Sequence, residues 1–191
     1  MTSRSAEDRV LIRRYLEGDV DAFEELMRAH EDRVFSICLR MMKDRSAALD
    51  ATQDVFLTVF RKVDRYKEQA AFSTWLYRVS INTCYDHLRR QQRKRTESLP
   101  DYVDPVDPKS GDAFHAVELR PDIETALFGL SPDFRAAIVL VDLEGMSLDG
   151  AADTLEVPVG TVKSRLFRAR KRLAKELGNF APESEHQREE P

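Results

Sequence analysis

Seven basic side chains and no acidic one fall within residues 163–175. A helical period through this stretch places four apolar residues on one stripe: Val162, Leu166, Ala169 and Leu173. The basic side chains then lie on the opposite arc, so the helix has an apolar back and a cationic front. Such a helix can pack on a small core while its front enters a DNA groove. A solvated basic helix is the alternative, but acidic partners at i,i+4 spacing are missing.

Charge is distributed unevenly along the rest of the chain, whose net charge is −4. Residues 97–121 hold six acidic and two basic side chains, and residues 181–191 hold four acidic and one basic. Outside these two segments the chain is net positive, so its local field favours an anionic partner such as nucleic acid. The acidic segments also favour solubility.

The N-terminal half is predicted to be helical, because glycine is scarce and no segment alternates with period two. Four helices are expected from the capping signals and apolar spacing: 6–17, a second capped by Asp19 or Asp21, 46–63, and a fourth from Ser73 or Thr74 to about Arg95.

The C-terminal part predicts a helix-turn-helix. A brief helix is expected over 121–129, and Ser131, Pro132 and Asp133 then combine an N-cap, a first-turn proline and an acid to begin a helix that runs to Glu144. A short helix follows from a Ser147 cap to about Leu155. The turn after it, which contains Pro158, leads into the basic helix.

The expected fold class is therefore all-α, with two small helical domains over residues 1–96 and 122–180. A flexible, acidic, proline-rich linker is expected over 97–121, and a disordered tail over 181–191. No window is apolar enough for a membrane span and the N-terminus lacks a signal-peptide core, so a cytoplasmic location is expected. The two cysteines, Cys38 and Cys84, are expected to be reduced and buried.

The fourth helix carries a polar stripe beside aromatic residues. Arg78, Asn82 and Arg89 lie within about 40° of one another on a helical wheel, and a basic track, 89–95, continues the helix. Aromatic, amide and guanidinium groups together suit an unpaired or flipped-out base. Trp75 and the neighbouring tyrosine at 77 are more readily explained as core residues.

The third helix presents Asp50, Gln53 and Asp54 beside Phe56 and Leu57, a rim that could receive a partner helix carrying arginines. An ordinary solvated face explains the same pattern equally well. Phosphate-binding loops, nucleophile elbows, metal-ligand clusters and paired catalytic carboxylates are missing from the sequence. Neither an enzyme nor a bound cofactor or metal is expected.

These motifs resemble those of a known family, the bacterial extracytoplasmic-function sigma factors of group 4 of the sigma-70 family. Residues 50–56 (DATQDVF) and 72–82 (FSTWLYRVSIN) resemble its region 2. Residues 130–135 and 157–165 resemble its region 4, and the whole likeness covers about 19–177. It implies a region 2 helical bundle, a region 4 helix-turn-helix and a role in transcription initiation: binding core RNA polymerase, recognising promoters and opening DNA.

The resemblance also assigns residues to partners. Contacts with the clamp helices of the largest polymerase subunits, β and β′, would come from Asp50, Gln53, Asp54, Phe56 and Leu57. The minus-ten element would contact Tyr66, Phe72, Ser73, Trp75, Arg78, Asn82, Arg89 and Arg90. The minus-thirty-five element would contact Thr161, Lys163, Ser164, Phe167, Arg168 and Lys171. An anti-sigma factor is implied as a further partner.

The chain departs from the family pattern at three positions. Leu49 stands where an acid usually precedes Asp50, and Gly150 and Ala151 replace an acid and a larger aliphatic residue in the first helix of the helix-turn-helix. Glycine in a helix interior costs about 1 kcal/mol relative to alanine, which predicts a less stable helix there.

Two other functions remain compatible with the helix-turn-helix. An autonomous regulator would bind duplex operators as a dimer without polymerase, but residues 1–96 lack the βα alternation of a sensor domain. A helical adaptor would bind polymerase or an anti-sigma protein without reading DNA, which the basic front at 163–175 argues against.

Overall fold

The structure is a computed structural model and describes residues 2–66, 71–97 and 121–178. Eight α-helices occur within these ranges: α1 Thr2–Leu16, α2 Val20–Met41, α3 Arg45–Lys62, α4 Phe72–Glu97, α5 Pro121–Phe128, α6 Pro132–Ile138, α7 Leu148–Leu155 and α8 Val159–Glu176. A 3-10 turn, Val63–Arg65, follows α3, and a π-helical turn, Val139–Leu143, follows α6. The described ranges contain no strand, so the predicted all-α class is confirmed.

The first four helices pack around one apolar core. Its largest fully buried side chains include Leu26 and Phe35 of α2 and Leu76 and Ile81 of α4. Burying a side chain of this size stabilises a fold by about 1.5–3 kcal/mol. Cys38 and Cys84 lie in the same core as free, buried thiols, as predicted. The pKa of Cys84 is raised, mainly by a hydrogen bond to Cys38 and secondly by burial.

The last four helices continue the same cluster of buried residues, and the apolar back predicted for the basic helix is part of it. Val162, Leu166 and Ala169 of α8 are buried, and Leu173 is partly buried. They pack against α6 and α7, which contribute Ala136, Ala137 and Ala151 among other residues. The stripe in the sequence therefore identifies the face by which α8 packs on the neighbouring helices.

Local capping begins three of the helices. The Asp19 carboxylate accepts a hydrogen bond from the Ala22 amide (3.3 Å) at the start of α2, which decides between the two candidates at 19 and 21. Asp44 caps α3 in the same way, and the Ser147 hydroxyl accepts from the Gly150 amide (3.1 Å) at α7. These caps satisfy backbone donors that the first helical turn leaves free.

Three predicted helix details differ from the structure. Helix α1 begins at Thr2, four residues before the predicted start at residue 6. Helix α4 begins at Phe72, so Ser73 and Thr74 lie inside its first turn, where the Ala71 carbonyl accepts from the Thr74 amide. The burial of Phe72 in the core places the helix start there. The helix from Pro132 to Glu144 is not uniform, because its last turn is π-helical, a widening that often marks functional segments.

The proposed linker lies outside the described residues apart from its ends, and the proposed tail, 181–191, lies outside them entirely. Within the described ranges, the search for a helix long and apolar enough to cross a membrane found none.

Candidate nucleic-acid interface

The front of α8 is open to solvent. Phe167 is 70% exposed, and the predicted promoter-reading residues Lys163, Ser164, Arg168 and Lys171 are exposed as well. Thr161, at the start of the helix, is half-buried, and its carbonyl accepts a hydrogen bond from the Ser164 hydroxyl at 2.9 Å. The structure thus brings all six residues predicted for this element onto one helix.

The exposed cations differ from two arginines on the same helix that have partners. Arg165 is ion-paired with Asp133 of α6 at 2.8 Å, and Arg170 donates two hydrogen bonds to Asp142. The hydrogen bond with Asp142 raises the pKa of Arg170. Among the described residues, Lys163 has no carboxylate partner of this kind. The front therefore combines free positive charge with one exposed aromatic ring.

The turn before α8 sets its orientation. Glu156 adopts a left-handed backbone conformation (φ 54°), and the Val157 amide donates to the Ala152 carbonyl at 3.1 Å. Gly150 in α7 has a packing role, because a Cβ there would lie 3.1 Å from Met146 Cγ and 3.2 Å from the capping Ser147 Oγ. This crowding gives a physical reason for glycine at the position where the expected family residue is an acid.

An aromatic cluster precedes the polar stripe of α4. The ring of Phe72 lies 5.5 Å from that of Tyr66 and 5.6 Å from that of Trp75, centroid to centroid. Phe72 is fully buried, so in this structure it supports the other two rings and has no surface for DNA. Tyr66 and Trp75 are partly buried, and Tyr77 is buried, as predicted for a core residue.

The polar residues of α4 are divided between solvent and a neighbouring helix. Asn82, Arg89 and Arg90 are exposed, and Ser73 is half-buried in the first turn. Arg78 instead contacts the C-terminal end of α7, one of the last four helices. Its guanidinium donates to the Asp153 carbonyl at 2.5 Å and approaches Glu156 at 3.5 Å. In this arrangement Arg78 is engaged within the protein.

The predicted polymerase-binding residues form a stripe on α3. Asp50 and Gln53 are exposed and Leu57 is 50% exposed, whereas Phe56 packs partly against the core. Asp54 has a partner inside the bundle, the His87 ring of α4, at 2.8 Å. The Asp54 side chain is still 47% exposed, so the stripe presents two carboxylates, one amide and an apolar residue to solvent.

Sequence reasoning missed the residues that join the two groups of helices. Glu144 follows the π-helical turn, and its side chain is only 4% exposed and forms ion pairs with Arg40 (2.6 Å) and Arg33 (3.0 Å) of α2. Arg135 is also buried and donates to the Met41 carbonyl of α2 at 2.6 Å. Burial lowers the pKa of Arg135. A single sequence does not distinguish these charged residues from ordinary surface charges.

Comparison with known proteins decides the family. Residues 26–94 match the family described as Sigma-70 region 2, and residues 120–173 match Sigma-70, region 4. The chain is 38% identical over 171 residues to the ECF RNA polymerase sigma factor SigM of Mycobacterium tuberculosis. The aligned region covers 90% of this chain and 85% of that protein. The chain belongs to the extracytoplasmic-function (ECF) sigma factors.

Other relatives support the same assignment. This sigma factor is 33% identical over 181 residues to the ECF RNA polymerase sigma-E factor of Escherichia coli K12, covering 90% of this chain and 94% of that one. It is 39% identical over 166 residues to SigE of Mycolicibacterium smegmatis, covering 85% of this chain but only 64% of that longer relative.

Solved structures show the same fold. The sigma factor RpoE of Bartonella quintana, in complex with the anti-sigma factor NepR, superposes with a TM-score of 0.70 at 26% identity, covering 83% of this chain and 98% of that one. CnrH, in complex with the cytosolic domain of CnrY, superposes with a TM-score of 0.66 at 23% identity, over 92% and 99% of the two chains, and shows the fold alone.

Proposed function

We propose that this sigma factor binds core RNA polymerase, recognises promoter DNA and promotes strand opening, acting in the cytoplasm as a specificity subunit without catalytic activity of its own. The observation that carries the proposal is the open front of α8, where Phe167 and free cations lie on a helix-turn-helix scaffold. Residues 1–96 and 122–180 are the two domains of the proposal. They place separate DNA contacts on one chain.

Helix α8 is the proposed reader of the minus-thirty-five element. Its first two turns present side chains of the kinds that contact base edges in the major groove, and Arg168 can donate to a guanine. Phe167 offers apolar surface to a thymine methyl group. Lys163, Ser164 and Lys171 would bind base edges or phosphates. Thr161 would position the start of the helix against the sugar-phosphate backbone of the DNA.

Helix α4 is the proposed site for the minus-ten element. Asn82 can hydrogen-bond a base edge, and the partly buried rings of Tyr66 and Trp75 can stack against a base, which contributes about 1–3 kcal/mol. Extruding a base costs a few kcal/mol, so this site alone supplies too little free energy. Arg89 and Arg90 would hold the adjoining phosphates. Strand capture therefore needs polymerase and the second DNA contact at the same time.

The use of Arg78 in strand capture requires a rearrangement. Its guanidinium is bonded to the end of α7, so α7 must leave α4 before Arg78 can contact DNA. Polymerase would supply that separation by binding the two domains at spaced sites. On α3, Asp50, Gln53 and Leu57 would receive a polymerase helix carrying basic and apolar residues, with Asp54 and Phe56 at the edge of the contact.

An anti-sigma factor is the proposed inhibitor. The support is the likeness to RpoE, which was solved with such a partner. A protein that holds α7 against α4 would keep Arg78 from DNA, which is sufficient to block initiation under this proposal.

Run-off transcription with purified core polymerase and genomic templates tests the proposal. We expect promoter-dependent transcripts only when the sigma factor is added, and sequencing them identifies the promoter. Asn82→Ala should reduce strand opening more than duplex binding, whereas Gln91→Ala, an exposed change about two and a half turns later and on the opposite side of α4, should alter neither. The proposal would be contradicted if no promoter-dependent transcript appeared. It would also be contradicted if the double variant Lys163→Ala/Arg168→Ala selected the same promoters as the parent chain with the same efficiency.

A further inference from the structure

A groove of about 1080 Å³ runs along α8 and is largely apolar. Its apolar walls come from the π-helical turn, the start of α7 and α8 itself: Val141, Leu148, Leu166, Phe167 and Ala174. Its basic rim consists of Lys163, Arg170, Lys171 and Lys175. Three of these lining residues, at 163, 167 and 171, also belong to the proposed promoter-reading front. Whatever fills the groove therefore competes with DNA.

The chemistry of the groove indicates the kind of segment that fits it. Of the four rim cations, only Arg170 is ion-paired with a carboxylate in the described part of the chain. Apolar walls beside three unpaired lysines suit a peptide that combines an apolar residue with several carboxylates. A purely apolar peptide would leave the lysines without partners.

The described chain ends at the groove. Gly178 lines it and has a φ of +69°, the left-handed conformation that ends helices and turns the backbone away from their axis. The segment that follows, residues 179–191, therefore starts at the rim. At about 3.3 Å per residue it can extend roughly 43 Å. The distance along α8 from Lys163 to Gly178 is roughly 22 Å at 1.5 Å per residue.

The composition of this segment complements the groove. After Asn179, the next three residues, Phe180, Ala181 and Pro182, are apolar. Four glutamates follow, with a single basic residue among them: Glu183, Glu185, Glu189 and Glu190, against Arg188. The order places apolar residues nearest the point of attachment and carboxylates further along, so that the carboxylates can reach towards Lys171 and Lys163 as well as the nearer Lys175.

We propose that residues 179–191 bind in the groove of the same molecule. The glutamates pair with Lys163, Lys171 and Lys175, and Phe180 packs against the apolar walls. The bound segment covers the front of α8 and weakens its binding to duplex DNA. The competition rests on the proposed function of α8, whereas the docking itself does not.

Docking is tested by a spin label on Ser184→Cys in the full chain. The two native cysteines are buried, so the new thiol reacts selectively. We expect paramagnetic broadening of the backbone amide signals of Lys163, Phe167 and Lys171. Absence of broadening in the isolated chain would leave the groove to a partner protein and overturn the proposal. A second sample mixes isotope-labelled protein that carries no spin label with spin-labelled protein. If broadening occurs only in this mixture, the segment binds a second copy of the chain, and the proposal is overturned as well.

Competition is tested on a promoter-free DNA duplex with two variants that lose three negative charges each. Glu183→Gln/Glu185→Gln/Glu189→Gln should bind the duplex about fivefold tighter or more, a coupling at the lower end of the usual range. The control, Glu17→Gln/Asp21→Asn/Asp32→Asn, changes exposed acids on and beside α2 and should stay within about twofold of the parent chain.

Equal affinities of the two variants would overturn the competition. The gain should shrink as ionic strength rises, because the glutamate–lysine contacts lie at the surface and are screened. If none of the three proteins binds DNA, the proposed function of α8 fails, while the spin-label result still decides whether the segment docks.

Discussion

Glu144→Gln removes the charge that joins the two groups of helices while keeping the shape of the side chain. The carboxylate is 4% exposed and its main partner, Arg40, is 11% exposed, so the ion pair is buried. Breaking such a pair costs about 3–5 kcal/mol, because one charge is left without compensation. The pair with Arg33, which is 52% exposed, adds at most about 1 kcal/mol. Because glutamine still accepts a hydrogen bond, we expect a net loss of about 2–3 kcal/mol.

That loss acts on the arrangement in which α7 covers Arg78. It lowers the ratio of closed to separated molecules by roughly 30- to 150-fold, at 1.36 kcal/mol per tenfold. Fluorescence energy transfer measures the ratio with dyes on Asp32→Cys in α2 and Asp149→Cys in α7. Both positions are exposed, and the native cysteines are buried. We expect Glu144→Gln to lower the transfer efficiency while circular dichroism shows unchanged helix content.

Glu156→Gln is the matched control. Glu156 forms a different ion pair between the same two groups of helices, with Arg78 at 3.5 Å, and its side chain is 67% exposed, so its removal should change the free energy by less than about 0.5 kcal/mol. Equal transfer efficiency in Glu144→Gln and the parent chain would refute the reasoning. Apolar packing and the bond from Arg135 to the Met41 carbonyl would then hold the two groups together.

Three further predictions concern single side chains. Arg135→Lys should lower the free energy of unfolding by about 3 kcal/mol in urea titrations. The reason is that an ammonium group cannot replace the guanidinium hydrogen bonds to four carbonyls, those of residues 41, 127, 128 and 130. An unchanged urea midpoint would contradict this. Phe167→Ala should leave that free energy within about 0.5 kcal/mol, since the ring is 70% exposed, yet weaken promoter-duplex binding by about 1–2 kcal/mol in anisotropy titrations. Burial raises the pKa of Tyr77 to about 12, so the folded state binds its proton more tightly than the unfolded chain, and stability present below pH 10 should fall by about 2–3 kcal/mol as the pH rises to 12. Tyr77→Phe should lack this component of the alkaline loss, and an identical pH profile for the two proteins would count against it.

Local patterns were sufficient for the helices and for the two faces of α8. The apolar spacing of Val162, Leu166 and Ala169 identifies a buried back whatever it packs against, and the basic residues are left for the front. The Asp19 and Ser147 caps are equally local, because each side chain bonds an amide three residues ahead. These features depend on residues within one or two turns of one another.

Partners distant in sequence decided what local patterns left open. Trp75 and Phe72 carry the same aromatic signal, but only the packing of α4 on α2 and α3 determines that Phe72 is fully buried. The same packing explains why α4 begins at Phe72 and not after the predicted caps at Ser73 or Thr74. Tertiary packing therefore divides the predicted minus-ten residues into a supporting core and an exposed surface.

The sequence by itself determined that these segments are helical, that Ser147 caps α7, and that α8 has a cationic front, because these follow from interactions within one helix. Only the tertiary structure decided that Arg78 is engaged by α7 and that Glu144 is buried, because their partners lie 75 and 104 residues away. A charged side chain looks the same in a sequence whether it meets water or a distant arginine. Its environment is set when helices remote along the chain pack together.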